Sequence, residues 1–453
     1  MILRDPVHGL VDFEGDAERV IGALLATREV QRLRRIRQLG LTSLVFPGAE
    51  HSRFAHAVGA AHVMTRLFSR LRAIEHALPV EHRLDPEGAR DALAAALLHD
   101  LGHGPFSHLF EEVQPGDKHH EDWTVDAIRD PGTDVHRALE GISSGMATRV
   151  ADMLRGRHRL RYLARAVSGT LDVDRADYLL RDSHMTGVRY GLYDLDWLLR
   201  ALGFGEVAGE WVLAVEGRKG LPPIESFFLG RHFMYQQVYH HKATRAAEAL
   251  IRGLFVRAGE LVREGRAPER LPPALASAAQ GATVSLGDYL DLDDAALLSC
   301  FSSWETSDDA VLADLAARLR VRRLPKTLPL PTDATEARVD GTAADGSSED
   351  GVALAALWRE CERRAREVAT RAGLRADLEV RLDVAEDTPY DEPSEPTAEG
   401  LWVLIRHRAP QRLGDASFLL GELRGKTVRI PRLIFPAELR EPILSALEDL
   451  LPA

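Results

Sequence analysis

The sequence predicts a mainly α protein: a helical core over residues 1–258, followed by a smaller C-terminal α+β region. Three observations carry that reading. Apolar residues recur at helical spacing through the first half. A stretch rich in Pro, Thr, Asp, Gly and Ser interrupts the second half. Beyond that stretch come one amphipathic helical pattern and several short strand-like runs.

Within the core, residues 27–39 carry Val30, Leu33 and Ile36 at helical period with five arginines among them. Residues 53–71 continue the pattern. Residues 89–99 are so dense in Ala and Leu that the helix they form must be buried nearly all round. That helix stops at Gly102, and Gly104-Pro105 is expected to restart one, with Pro at or near its first position. Further helices are expected over 174–182, 193–202 and 224–258, with a β element at 210–215. Residues 259–323 read as a helical extension and 324–351 as a flexible linker. Residues 352–453 form the α+β region: a helix over 352–372, two strands at 378–384 and 401–406, a last pattern at 427–434, and an amphipathic tail over 437–451.

Composition narrows the function. Only two cysteines occur, Cys300 and Cys361, which excludes a disulfide framework and fits a reducing compartment. A net charge of −12 argues against a basic surface for nucleic acid, although a pocket for a phosphate-bearing small molecule needs only a few local cations. No run is long and apolar enough for a membrane span, and the start shows no basic leader with an apolar run, so the expected location is cytoplasmic. Most of the 18 histidines precede residue 242, which places the chemistry in the first half.

The strongest chemical signal is the adjacent pair His99-Asp100 at a helix end. A neutral imidazole nitrogen and a carboxylate suit a borderline divalent metal such as iron, manganese or zinc. Arg53 lies three residues before His56, on one helical face, and would set a fixed cation beside a bound phosphate. Asp174, Tyr178 and Asp182 follow one another at i, i+4 and i+8, a single stripe about 12 Å long. Arg231, Tyr235 and Tyr239 repeat that spacing, with Lys242 close behind. His103, His108 and His120 are acid/base candidates, since an imidazole can donate a proton to a leaving alkoxide near neutral pH.

The ordered set His56, His99-Asp100 and Asp174 is similar to the ligand pattern of the HD superfamily. With Asp5-Pro6-Val7-His8-Gly9, Gln31 to Arg34, Gln38-Leu39-Gly40, Phe46-Pro47-Gly48, the stretch His99 to His108, His120-Glu121 and Asp174 to Asp182, the first 255 residues or so resemble its deoxynucleotide triphosphohydrolase branch. The resemblance implies an HD-domain helical core with one divalent transition metal on His56, His99, Asp100 and Asp174, and magnesium accompanying the triphosphate. It implies water attack on the α-phosphorus, giving deoxynucleoside and intact triphosphate. His108, with His103 or His120 and the neighbouring Glu121, would serve the leaving 5′-oxygen. Tyr178, Asp182 and Gln38 would meet the deoxyribose, and Arg53, Arg175, Arg231 and Lys242 the phosphates. Tyr239 would lie near base and sugar. Arg175 stands where the family has lysine, and Tyr235 and His240 stand where animal members have His and Gln, so base preference does not carry over.

Homo-oligomerisation follows from the same resemblance. Gln31 and Arg34 match residues that bind activating nucleotides in animal members, but the guanine-reading aspartate falls at Ala26, so activation of that kind is expected to be absent or altered. Two other readings use the same residues: a metal-dependent hydrolase of an alarmone or cyclic nucleotide, and a nucleotide-sensing protein in which hydrolysis is secondary.

Overall fold

A computed structural model describes residues 1–106, 109–111, 118–332 and 349–451. The chain is predominantly helical, with three small sheets among the described residues. At its centre lies the helix Pro86–Leu98, started by an Asp85 side chain that accepts from the Gly88 N–H and by Pro86 in the first turn. Residues Ala92 to Leu98 are fully buried, as the run of Ala and Leu requires. Helices Arg19–Leu25, Arg53–Ile74, Met146–Leu154 and Arg161–Val167 pack around it. The Arg53–Ile74 helix, capped by Ser52, also packs along Val173–Thr186, capped by Asp172 and ended at Gly187 in the left-handed conformation (φ 79°). These three helices carry the residues singled out for metal binding.

Several expected elements are shorter than their periodicity suggests, for reasons that bear on the site. The 27–39 pattern is helical only over Arg28–Arg32, followed by a 3-10 turn at Leu33–Arg35. The chain then extends, because Gln38 N–H donates to His51 O (2.9 Å) and Arg53 N–H to Ile36 O (2.9 Å). That short bridge sets Gln38 beside His51. Of the helix expected to restart at Gly104-Pro105, Pro105 and Phe106 form a turn, with Phe106 at φ 55° and its N–H held by Asp294 Oδ1 at 3.0 Å, and residues 107 and 108 lie outside the described residues. The 224–258 pattern divides into Leu221–Met234, a π-helical turn at Tyr235–Tyr239, and Lys242–Arg263. Such turns shift side-chain direction along a helix and recur at functional sites. Periodicity also gave no sign of the N-terminal hairpin, Ile2–Asp5 against Gly9–Asp12.

Residues 259–323 supply helices Pro273–Ala279, Leu286–Leu290, Asp294–Trp304 and Ala310–Arg320, whose Leu297, Phe301, Trp304, Leu312 and Leu315 bury against Leu250 and Leu254 of Lys242–Arg263. The stretch read as a linker begins otherwise: Lys326–Pro329 is an edge strand of a sheet whose central strand is Val428–Phe435 and whose far strand is Arg381–Asp387. Thr327 and Leu328 pair with Ile434 and Leu433, and backbone pairing overrides a polar, Pro-rich composition. Residues 333–348 lie outside the described residues. The C-terminal region is stitched to the core, since Trp402–Leu404 adds in parallel to Glu210–Glu216 (Val215 opposite Val403) and extends the hairpin Leu202–Val207/Glu210–Glu216. Among the described residues, no helix is long and apolar enough to cross a membrane.

Candidate metal centre and substrate pocket

His56, His99 and Asp174 converge from three helices. His56 Nε2 is 3.1 Å from His99 Nε2 and 3.0 Å from Asp174 Oδ1, and His99 Nε2 is 3.4 Å from that same oxygen. Both imidazoles are oriented from behind. His56 Nδ1 donates to Asp177 Oδ2 (2.8 Å), and His99 Nδ1 donates to the carbonyl of Ala96 (2.9 Å). With each Nδ1 carrying the hydrogen, each Nε2 presents its lone pair to one point, which is how neutral histidines are held for a metal. Two converging lone pairs and a carboxylate form a donor set for a divalent cation. Burial alone would push both imidazoles down. Asp174 and Asp177 hold His56 up at about 10 instead, and Asp100 and Asp174 hold His99 up at about 8. A bound cation would take up that local excess of negative charge.

Asp100 stands at the edge of this group. Its Oδ1 is 3.3 Å from both His99 Nε2 and His103 Nε2, and its Oδ2 accepts from Arg53 Nη1 at 2.5 Å. Arg53 is buried and does stand beside the centre, as its spacing from His56 predicts.

A second group adjoins the first. The rings of His103 and His120 stack at 3.8 Å, His120 Nδ1 lies 3.1 Å from Glu111 Oε1, and its Nε2 lies 3.3 Å from the exposed Glu121. Glu111 went unnoticed in the sequence. Gly102 makes the approach possible: a Cβ there would lie 2.1 Å from His120 O and 2.3 Å from Thr124 N, so only glycine lets the helix His120–Arg129 dock on the His99-Asp100 turn. Arg32, fully buried, donates to the carbonyls of Leu101, His103 and Leu292 and braces that turn from beneath. His103 itself is held well below the usual histidine range, by burial first and by the Arg53 charge second. His108 lies outside the described residues.

The Asp174–Tyr178–Asp182 stripe lies on Val173–Thr186 as the spacing requires. The Tyr178 ring stands 6.3 Å from those of both His56 and Tyr239. Asp182 is buried; its Oδ1 is 2.8 Å from His51 Nε2, and its Oδ2 accepts from Tyr239 OH at 2.8 Å. His51 is a further member that periodicity did not reveal. Gln38 Oε1 is buried, with no hydrogen-bond partner among the described residues. Arg175 is bonded to Asp172 and to the carbonyl of Gly169.

Arg231 lies over the Tyr235 ring at 4.5 Å, and its Nη1 donates to the carbonyl of Thr388 at 3.0 Å, with Asp387 Oδ1 at 3.4 Å. The C-terminal strand thus reaches a residue that sequence alone assigned to phosphate. Arg175 and Arg231 also line a cavity of about 580 Å³ that extends to Arg161, Arg165 and the 388–401 segment. Lys242 is exposed at the start of its helix.

The chain is similar to several known proteins. Residues 53–182 match the HD domain family model. The chain is 38% identical to the uncharacterized protein YwfO of Bacillus subtilis over 323 residues, 71% of this chain and 70% of that one. It is 30% identical to the deoxynucleoside triphosphate triphosphohydrolase SAMHD1 homolog of Dictyostelium discoideum over 273 residues, 58% of this chain but half the length of that relative. The crystal structure of a phosphohydrolase from Bacteroides thetaiotaomicron superposes with a TM-score of 0.75 at 26% identity, covering 96% of this chain and 99% of that one.

Proposed function

The chain belongs to the HD superfamily of phosphohydrolases, and from that premise we propose that it hydrolyses deoxynucleoside triphosphates to deoxynucleoside and intact triphosphate. The observation that carries the proposal is the helix Val173–Thr186. It runs from a metal-ligating Asp174, past Tyr178, to a buried Asp182 wired to His51 and Tyr239. A sugar lying along this stripe, with its α-phosphate at the His56–His99–Asp174 end, would meet the Tyr178 face where a 2′-hydroxyl has least room. Each carboxylate oxygen accepts more than one bond, so Asp182 keeps capacity for a 3′-hydroxyl while bonded to His51 and Tyr239. The open Gln38 Oε1 is a second acceptor for a sugar hydroxyl.

His56, His99 and Asp174, with Asp100 at their edge, would hold one divalent transition metal, which supplies Lewis-acid polarisation of a phosphoryl oxygen and activation of water. Arg53 is positioned to neutralise the same phosphate, while Arg175 and Arg231, both within electrostatic reach of Tyr178, would meet the remaining phosphates and their magnesium by exchanging their bonds to Asp172 and Thr388. His103, kept neutral by burial and Arg53, suits a neutral hydrogen-bonding role. The proton for the departing 5′-oxygen falls to His120, backed by Glu111 and near Glu121, or to His108. The relative from Dictyostelium carries the triphosphohydrolase name and supports this substrate class.

The test incubates each deoxynucleoside triphosphate with manganese and magnesium and separates products by ion exchange, for the wild type and for a His99→Ala, Asp100→Ala double variant. Deoxynucleoside and intact triphosphate, formed only by the wild type, are expected. Release of monophosphate or single phosphate, or turnover of an alarmone or cyclic nucleotide in place of any deoxynucleotide, would overturn the assignment.

A further inference from the structure

We propose that Asp177 and the N-terminal hairpin together position His56 for its metal, so that metal affinity depends on residues 5 and 8, which touch no metal ligand themselves. Asp177 has no exposed surface, yet its two oxygens take four bonds. His56 Nδ1 and Arg181 Nε donate to Oδ2 at 2.8 Å, while His8 Nε2 (2.6 Å) and Arg181 Nη2 (2.9 Å) donate to Oδ1. Arg181 meets Asp177 through two side-by-side N–H bonds, the geometry of a guanidinium on a carboxylate. An ionised carboxylate only accepts, so both imidazoles must donate to it, and His56 is left with its lone pair on Nε2.

The hairpin closes the network. Asp5 Oδ1 accepts from the N–H groups of Val7 and His8 (both 2.9 Å), shaping the turn that aims His8 inward, and Asp5 Oδ2 accepts from Arg181 Nη1 at 2.7 Å. His8 thereby loses nearly all exposure: its side chain is 3% exposed on a hairpin whose other residues largely face solvent. A hairpin of two four-residue strands has little hydrophobic surface to justify such burial of a histidine and an aspartate. Positioning Asp177 and Arg181 accounts for it.

This inference rests on the metal reading of His56 and is independent of the substrate. The experiment titrates chelator-stripped, dialysed full-length protein with Mn²⁺ alone, reading free Mn²⁺ by electron paramagnetic resonance, alongside thermal unfolding of the metal-free forms. Asp177→Asn is expected to weaken Mn²⁺ binding about 10- to 100-fold, the range for partners that orient a ligating histidine, because its amide NH₂ must confront one of the four donors. Should Asp177→Asn fail to fold, the pair His8→Ala and His8→Gln decides. His8→Ala is expected to bind Mn²⁺ more weakly than wild type, and His8→Gln, which keeps an N–H donor, to recover most of the loss at a similar metal-free unfolding midpoint. Wild-type affinity in His8→Ala, or equal weakening in both His8 variants, would overturn the proposal. Absence of Mn²⁺ binding in the wild type would instead remove the metal reading on which it stands.

Discussion

Gly59→Ala offers a sharp test of the packing behind the metal centre. Glycine inside a helix ordinarily weakens it, so alanine at an open position should stabilise by about 0.5–1 kcal/mol. Gly59 sits within Arg53–Ile74 where Val173–Thr186 crosses it, and a Cβ there would fall 1.9 Å from Asp177 Oδ1 and 2.3 Å from Arg181 Nη2. Carbon and oxygen ordinarily approach no closer than about 3.3 Å, so the carboxylate would have to move by roughly 1.4 Å. Both neighbours are fully buried, and Asp177 is held by four bonds, so the movement breaks some of them. Losing two hydrogen bonds to charged groups, at about 1.5–3 kcal/mol each, and recovering about 1 kcal/mol of helix propensity leaves a destabilisation of about 2–5 kcal/mol. The assay is denaturant unfolding of the metal-free protein, followed by Mn²⁺ titration of whatever folds. A Gly59→Ala protein as stable as wild type, or more so, with unchanged Mn²⁺ affinity would refute the reasoning.

Further outcomes follow from other contacts. Burial first, then the charges of His8 and Arg66, push His62 down to about 4, while its unfolded value is near 6.5. Between those values the unfolded chain binds more protons, so stability is full above pH 6.5 and declines as pH falls toward 4. His62→Asn should flatten that decline in unfolding midpoints measured from pH 7 to 4.5, and an unchanged slope would remove His62 as its source. Gly102→Ala places a Cβ 2.1 Å from His120 O; displacing that helix by about 1 Å should lower turnover about 100-fold with circular dichroism unchanged. Tyr239→Phe removes the 2.8 Å bond to Asp182, and a raised KM with kcat nearly kept is expected if Asp182 receives the sugar. Treatment with a chelator should abolish turnover, and added manganese restore it; activity that survives complete metal removal, checked by elemental analysis, would exclude the His56–His99–Asp174 centre.

The candidate metal group was legible through its ordered residue types, which resemble a family pattern, and through helical spacing that placed its neighbours on one face. His99-Asp100 ends a helix that Ala and Leu mark as buried, and Asp174, Tyr178 and Asp182 keep helical spacing. His51 and Glu111 gave no such signal. Each lies in an irregular segment, and each meets its partner only through a distant chain crossing: His51 with Asp182, and Glu111 with His120. Asp177 was visible as a residue of the helix but not as the acceptor of four bonds, since His8 and His56 lie 169 and 121 residues away from it.

The sequence by itself determined where the main helices lie, though not their ends, and which side chains ride together on one helix face. Those are matters of local period and of residue chemistry. Tertiary structure decided the rest: that His56, His99 and Asp174 close within 3.4 Å, that the hairpin backs them, that Lys326–Pro329 is a strand, and that Arg231 is held by Thr388 and Asp387. Behind the candidate metal group such contacts depend on how close two helices can come, and Gly59 and Gly102 admit Asp177 and the backbone at His120. A sequence displays a glycine there, but only the neighbour it admits explains why.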